Sequence, residues 1–116
     1  MLGDISVKSN VYIVTGYTDM RRSIDGLCAM VYEQMKTEVD SFSLYLFCGK
    51  RCDRIKAIFR EPDGIVLLYK RLDPNVTGRF RWPRTAKEVK SITWQQFDWL
   101  MEGLEIEQPK ALKKLA

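Results

Sequence analysis

Arg54-Ile55-Lys56-Ala57-Ile58-Phe59-Arg60-Glu61-Pro62-Asp63-Gly64-Ile65-Val66-Leu67-Leu68-Tyr69-Lys70-Arg71 reads as two strands joined by a tight reversal. Pro62 restricts φ, and Asp63 and Gly64 tolerate the left-handed region, which is the chemistry a hairpin turn needs. In the first arm Arg54, Lys56 and Arg60 fall on even positions and Ile55, Ala57 and Phe59 on odd ones. Strand side chains alternate between faces, so the cations share one side, with Ile58 the exception.

Working outward, Ser43–Cys48 reads as a further strand and Val11–Thr15 as the first, ended by Gly16. Between them Met20, Ile24, Leu27, Cys28, Val31 and Met35 keep helical spacing to about Lys36, with Thr18 as the expected N-cap and Asp19 in the first turn. Arg21 and Asp25 are four apart and can pair. Gly26 inside this pattern costs about 1 kcal/mol relative to alanine, which suggests close packing there. Downstream, the turn Asp73–Gly78 leads to a short strand, Arg79-Phe80-Arg81-Trp82, stopped by Pro83. Thr93 and Gln96 form a capping box flanked by the staple pair Ile92 and Phe97. Phe97, Leu100, Met101 and Leu104 follow as the apolar stripe of a last helix, and Gly103 is its stop. Residues 109–116 form a basic C-terminal tail. The order strand, helix, strand, hairpin, strand, helix predicts an α+β fold: an antiparallel sheet of about four to five strands with two amphipathic helices packed on one face.

The chain has 116 residues, 46% of them apolar and 29% charged. That fits a single domain over residues 1–116, able to fold without disulfide or metal. No apolar run approaches the ~20 residues that span a bilayer, and Met1-Leu2-Gly3-Asp4-Ile5 lacks the basic and apolar regions of a secretion signal. With three cysteines, an odd number, reduced thiols and a cytoplasmic location are expected. Histidine is absent, which removes the commonest general base and metal ligand. Cys48-Gly49-Lys50-Arg51-Cys52 resembles half a metal site but has no second ligand pair, so no metal is expected. Cys52 lies among Lys50, Arg51 and Arg54, which favours its thiolate, yet no base accompanies it. Asp19 and Asp25 do not face each other on a helix, and Asp53, Asp63 and Asp73 recur at turns. Without converging carboxylates or a glycine-rich phosphate loop, neither an enzyme nor a cofactor is expected.

The net charge of +4 is unevenly distributed. Residues 50–90 hold twelve Lys/Arg against five Asp/Glu, whereas both flanking segments are slightly acidic. Such segregation suits a polyphosphate partner. If the basic faces align, Arg54, Lys56, Arg60, Arg79 and Arg81 share one surface of the sheet, with Lys50, Arg51, Lys70, Arg71 and Arg84 at its edges. Guanidinium forks bind phosphate bidentately, and an array of cations releases condensed counterions together. The plainer reading is an ordinary polar sheet face turned to water. Trp82, Trp94, Trp99, Phe80 and Tyr69 can stack on bases, but their spacing suits a core better.

Thr18-Asp19-Met20-Arg21-Arg22-Ser23-Ile24-Asp25-Gly26-Leu27 resembles a segment of the small accessory protein of bacterial insertion sequences of the IS-sixty-six type, the Orf2-like family, also called TnpB. Leu46–Lys56, Leu67–Leu72, Gly78–Pro83, Trp99–Leu104 and Gln108–Ala111 agree with the same family in order along the chain. Two departures fall at turns: the hairpin tip Phe59–Gly64 lacks the usual tryptophan, and Asp73–Thr77 is longer than the usual link. The resemblance implies a non-catalytic accessory protein for transposition, acting beside a separate transposase. DNA binding through the basic sheet face is the leading expectation. A protein–protein adaptor on the transposase is the alternative, and RNA is not separable from DNA on these residues.

Overall fold

A computed structural model describes residues 10–84 and 89–108. The elements are β1 (Asn10–Val14), α1 (Ile24–Met35), β2 (Ser43–Cys48), β3 (Arg54–Glu61), β4 (Gly64–Arg71), β5 (Val89–Ile92) and α2 (Trp94–Met101). They form an α+β fold on one five-stranded sheet of order β4-β3-β2-β1-β5. The expected hairpin is present, with Glu61 paired to Gly64 across Pro62 and Asp63. Most pairings are antiparallel as expected, but β1 and β2 run parallel, Val11 beside Leu44 and Ile13 beside Leu46. Their connection carries α1 across the sheet, the crossover that parallel neighbours require.

The helices do not share a face. Along every strand apolar side chains alternate between two clusters. Leu27, Met30 and Val31 of α1 pack with Val14, Tyr45, Phe47 and Ile58. Leu100 of α2 packs with Val11, Ile13, Leu44, Leu46, Ala57 and Phe59 on the opposite side, joined there by Phe80, Trp82 and Ile106. The physical reason is visible in β2: every residue from Ser43 to Cys48 is buried, a pattern that belongs to a strand covered on both sides.

Local chemistry explains three further departures. Thr18 does not cap α1. Its N–H donates to the Cys48 carbonyl at 2.8 Å, and the carboxylate of Asp19 accepts from the Arg21 backbone, closing a turn at residues 19–22 before the helix starts. Ser23 stands at the N-cap without a side-chain hydrogen bond. Arg21 consequently pairs with Asp19, at 2.7 Å, and not with Asp25. Its guanidinium holds the Asp19 carboxyl well below the usual carboxylate range. The second departure is β5, a four-residue edge strand too short to announce itself; it pairs with β1. The third is residues 79–82, which join no ladder.

α2 follows its sequence signals. Thr93 accepts from the Gln96 N–H at 3.0 Å while the Gln96 side chain accepts from the Thr93 N–H at 2.8 Å. Gly103, at φ 81°, ends the helix: its N–H donates to Leu100 and that of Leu104 to Trp99, the paired bonds that close a left-handed C-terminus. Thr93→Ala is expected to destabilise the protein by about 1 kcal/mol, read as a lower urea midpoint at unchanged slope. The basic tail at 109–116 lies outside the described residues.

Candidate nucleic-acid interface

Positive charge gathers in an open cleft of about 730 Å³ at the C-terminal ends of β1 and β2. Among the described residues Lys50, Arg51, Arg79, Arg81, Arg84 and Lys90 line it, against two carboxylates, Glu105 and Glu107. Two backbone devices build it. The first is the β2–β3 turn. Cys52 donates its N–H to the Gly49 carbonyl at 2.9 Å and adopts φ 55°, which presents Lys50 and Arg51 to solvent. A Cβ at Gly49 would lie 2.6 Å from Cγ of Met20, so the turn packs as it does because that residue is glycine.

The second device is residues 79–84, which lie over the α2 face of the sheet. Phe80 N–H donates to the Cys52 carbonyl at 2.9 Å, and Gly16 N–H donates to the Pro83 carbonyl at 2.9 Å. Trp82 donates its indole N–H to the Val14 carbonyl at 2.8 Å. Phe80 and Trp82 are buried while Arg79 and Arg81 are exposed. The alternation read from the sequence is thus real, although the segment is fastened to the sheet and does not extend it. Burying the two aromatics leaves both arginines on the outer side, where they line the cleft and Arg79 donates to the Gly78 carbonyl at 2.7 Å. Arg84 sits 5.9 Å from the ring of Tyr17.

Five of the ten expected cations therefore come together: Lys50, Arg51, Arg79, Arg81 and Arg84. The single plane expected to join Arg79 and Arg81 with Arg54, Lys56 and Arg60 is not formed, because the even positions of β3 face α1. There Ile58 is core, and Lys56 is 9% exposed, its ammonium donating to the Arg22 carbonyl at 2.7 Å with the Tyr69 ring 5.3 Å away. Arg60 donates to the Val39 carbonyl at 3.1 Å, and Arg54 lies 3.8 Å from Asp53. Arg71 stands opposite Arg54 on the same side. Lys70 is on the cleft side of the sheet but on β4, at the opposite edge from Lys90 on β5. Lys90 was not singled out from the sequence. Its signal was the alternation of Val89-Lys90-Ser91-Ile92, hidden by the strand's shortness.

Cys52 also lines the cleft, and Cys48 is fully buried behind it. Burial, reinforced by neighbouring Cys52, pushes the Cys48 thiol up from its ordinary value of 9.0, and burial pushes the Tyr45 phenol up as well. Folding favours the protonated forms. Their contribution is fully present below the ordinary values and is lost as pH rises toward the raised ones. Stability to urea is expected to stay level from neutrality to about pH 9 and then fall. Cys48→Ala should flatten that decline, and an unchanged alkaline slope would exclude Cys48 as its source. Among the described residues no group of three or more His, Cys, Asp or Glu is placed to hold a metal, and no helix is long and apolar enough to cross a membrane.

Fold and cleft together define a small α+β protein with a cationic groove built from loops at one end of its sheet. The chain belongs to the IS66 Orf2-like family: the family profile described as "IS66 Orf2 like protein" matches residues 9–111. That places it with the accessory proteins associated with transposition. It is similar to two proteins of Sinorhizobium fredii (strain NBRC 101917 / NGR234). "Uncharacterized protein y4hO" is 33% identical over 100 residues, covering 86% of this chain and 84% of the relative. "Uncharacterized protein y4jC" is 27% identical over 95 residues, covering 82% and 79%. No solved structure matches.

Proposed function

We propose that this protein is a non-catalytic accessory factor for transposition that binds DNA through the cleft lined by Lys50, Arg51, Arg79, Arg81, Arg84 and Lys90. The observation that carries the reading is the convergence of these six cations from three separate segments, against two carboxylates among the described residues. Phosphate is the ligand that such an array suits. Each guanidinium offers a planar fork to a phosphate oxygen pair, and neutralising several phosphates at once releases their counterions. Of the described rings beside the cations, Phe80 and Trp82 are buried and Tyr17, half-buried, lies against Arg84. Backbone contact therefore fits better than base stacking, and affinity should vary little with sequence.

A fluorescence-anisotropy titration with a labelled DNA duplex tests this. At about 0.1 M salt, Arg81→Ala should weaken binding roughly eightfold, the counterion contribution of one phosphate contact. Arg60→Ala, on the α1 face, should leave affinity unchanged. Equal loss from both variants, or from neither, would contradict the cleft as the binding surface. The adaptor reading rests on the family's association with a transposition system. Retention of the transposase on this protein after nuclease digestion would favour it; loss on digestion would favour DNA as the bridge.

A further inference from the structure

Among the described residues, one margin of the sheet ends at β4, which has a hydrogen-bonded neighbour only in β3. The bond from the Leu72 N–H to the Asp53 carbonyl, 2.8 Å, continues the β3–β4 ladder and fixes its phase. Even-numbered residues of β4 are bonded to β3, so Ile65, Leu67, Tyr69 and Arg71 direct their N–H and C=O groups outward. The edge is eight residues long, unbroken in register and free of proline. Among the described residues, the devices that normally blunt such an edge are missing along its apolar centre. Ile65, Val66, Leu67 and Leu68 are only half-buried, and they protrude on both faces of the sheet. Charge is polarised along the hairpin: Glu61 and Asp63 at the tip, Lys70 and Arg71 at the far end.

We propose that β4 pairs antiparallel with β4 of a second copy of this chain, in a register centred on Leu67. A two-fold axis perpendicular to the sheet pairs residues of the same face. With Leu67 opposite its own counterpart, Ile65 meets Tyr69 of the second copy and Asp63 meets Arg71. Both ends of the new ladder then join opposite charges, and the half-exposed aliphatic side chains are covered. The result is a continuous ten-stranded sheet. The same axis keeps faces in common, so both basic clefts open to one side. They lie near its outer margins, on the order of 40 Å apart at about 4.8 Å per strand. The pairing itself does not depend on what the clefts bind.

Sedimentation or light scattering on the full chain tests it. At about 100 μM the wild-type protein should have twice the chain mass of 13.6 kDa. Asp63→Arg should weaken dimerisation at least tenfold, and the double reversal Asp63→Arg with Arg71→Asp should restore it. Leu67→Pro, which deletes an outward N–H and leaves the bonds to β3 intact, should give a monomer whose circular dichroism matches the wild type. A wild-type monomer throughout, or a dimer that none of these changes alters, would overturn the proposal.

Discussion

Replacing Arg79, Arg81 and Arg84 together by alanine is expected to weaken duplex binding by 10²- to 10³-fold at about 0.1 M salt. The estimate follows from counterion release: each lost phosphate contact removes about 0.9 from the slope of log K against log salt, and three remove about 2.7. All three side chains are exposed on a segment held by backbone and aromatic contacts, so their removal leaves the wall itself in place. The effect should be the same for unrelated duplex sequences, as phosphate contacts require. A triple variant with wild-type affinity would place the interface elsewhere. A loss confined to one sequence would mean that bases are read.

The largest stability effect should come from Trp82→Ala. The side chain is 4% exposed, packs in the α2-side cluster and donates to the Val14 carbonyl at 2.8 Å. Truncation of a buried aromatic costs about 3–5 kcal/mol. Against a total of about 5–15 kcal/mol, that brings the domain close to unfolding and should lower Tm by roughly 10–20 °C. Trp82→Phe separates packing from hydrogen bonding: it keeps a ring in place but leaves the Val14 carbonyl without its donor, at about 1–3 kcal/mol. Differential scanning calorimetry distinguishes the two. If Trp82→Ala melts within a few degrees of the wild type, residues 79–84 are not fastened to the sheet through this ring.

The two variants probe the same segment, and it marks where reading the sequence succeeded and where it stopped. Period two in Arg79-Phe80-Arg81-Trp82 correctly separated guanidiniums from rings. It said nothing about which neighbour the segment would lie against, because the bonds to Cys52, Val14 and Gly16 span long stretches of chain. The hairpin, the capping box and the glycine stop of α2 were readable because each is fixed by residues a few positions apart. The start of α1 was misplaced for a related reason. Thr18 has the chemistry of a cap, but its N–H is taken by Cys48, and Asp19 closes its own turn with Arg21. Ile58 was the one readable warning about the cations of β3. An isoleucine between Lys56 and Arg60 signals a face that is packed, and α1 packs it. The parallel pairing of β1 with β2 and the separation of the helices onto opposite faces depend on contacts that local patterns do not encode, although the unbroken apolar run Leu44–Cys48 was consistent with a strand covered on both sides.

The claim that six cations from separate segments act together on a phosphate backbone is tested most directly by the salt dependence of binding. Affinity of the wild-type protein for a DNA duplex, measured from about 50 to 300 mM salt, should fall with a logarithmic slope near −5, the value for about six neutralised phosphates. A slope near zero would contradict it.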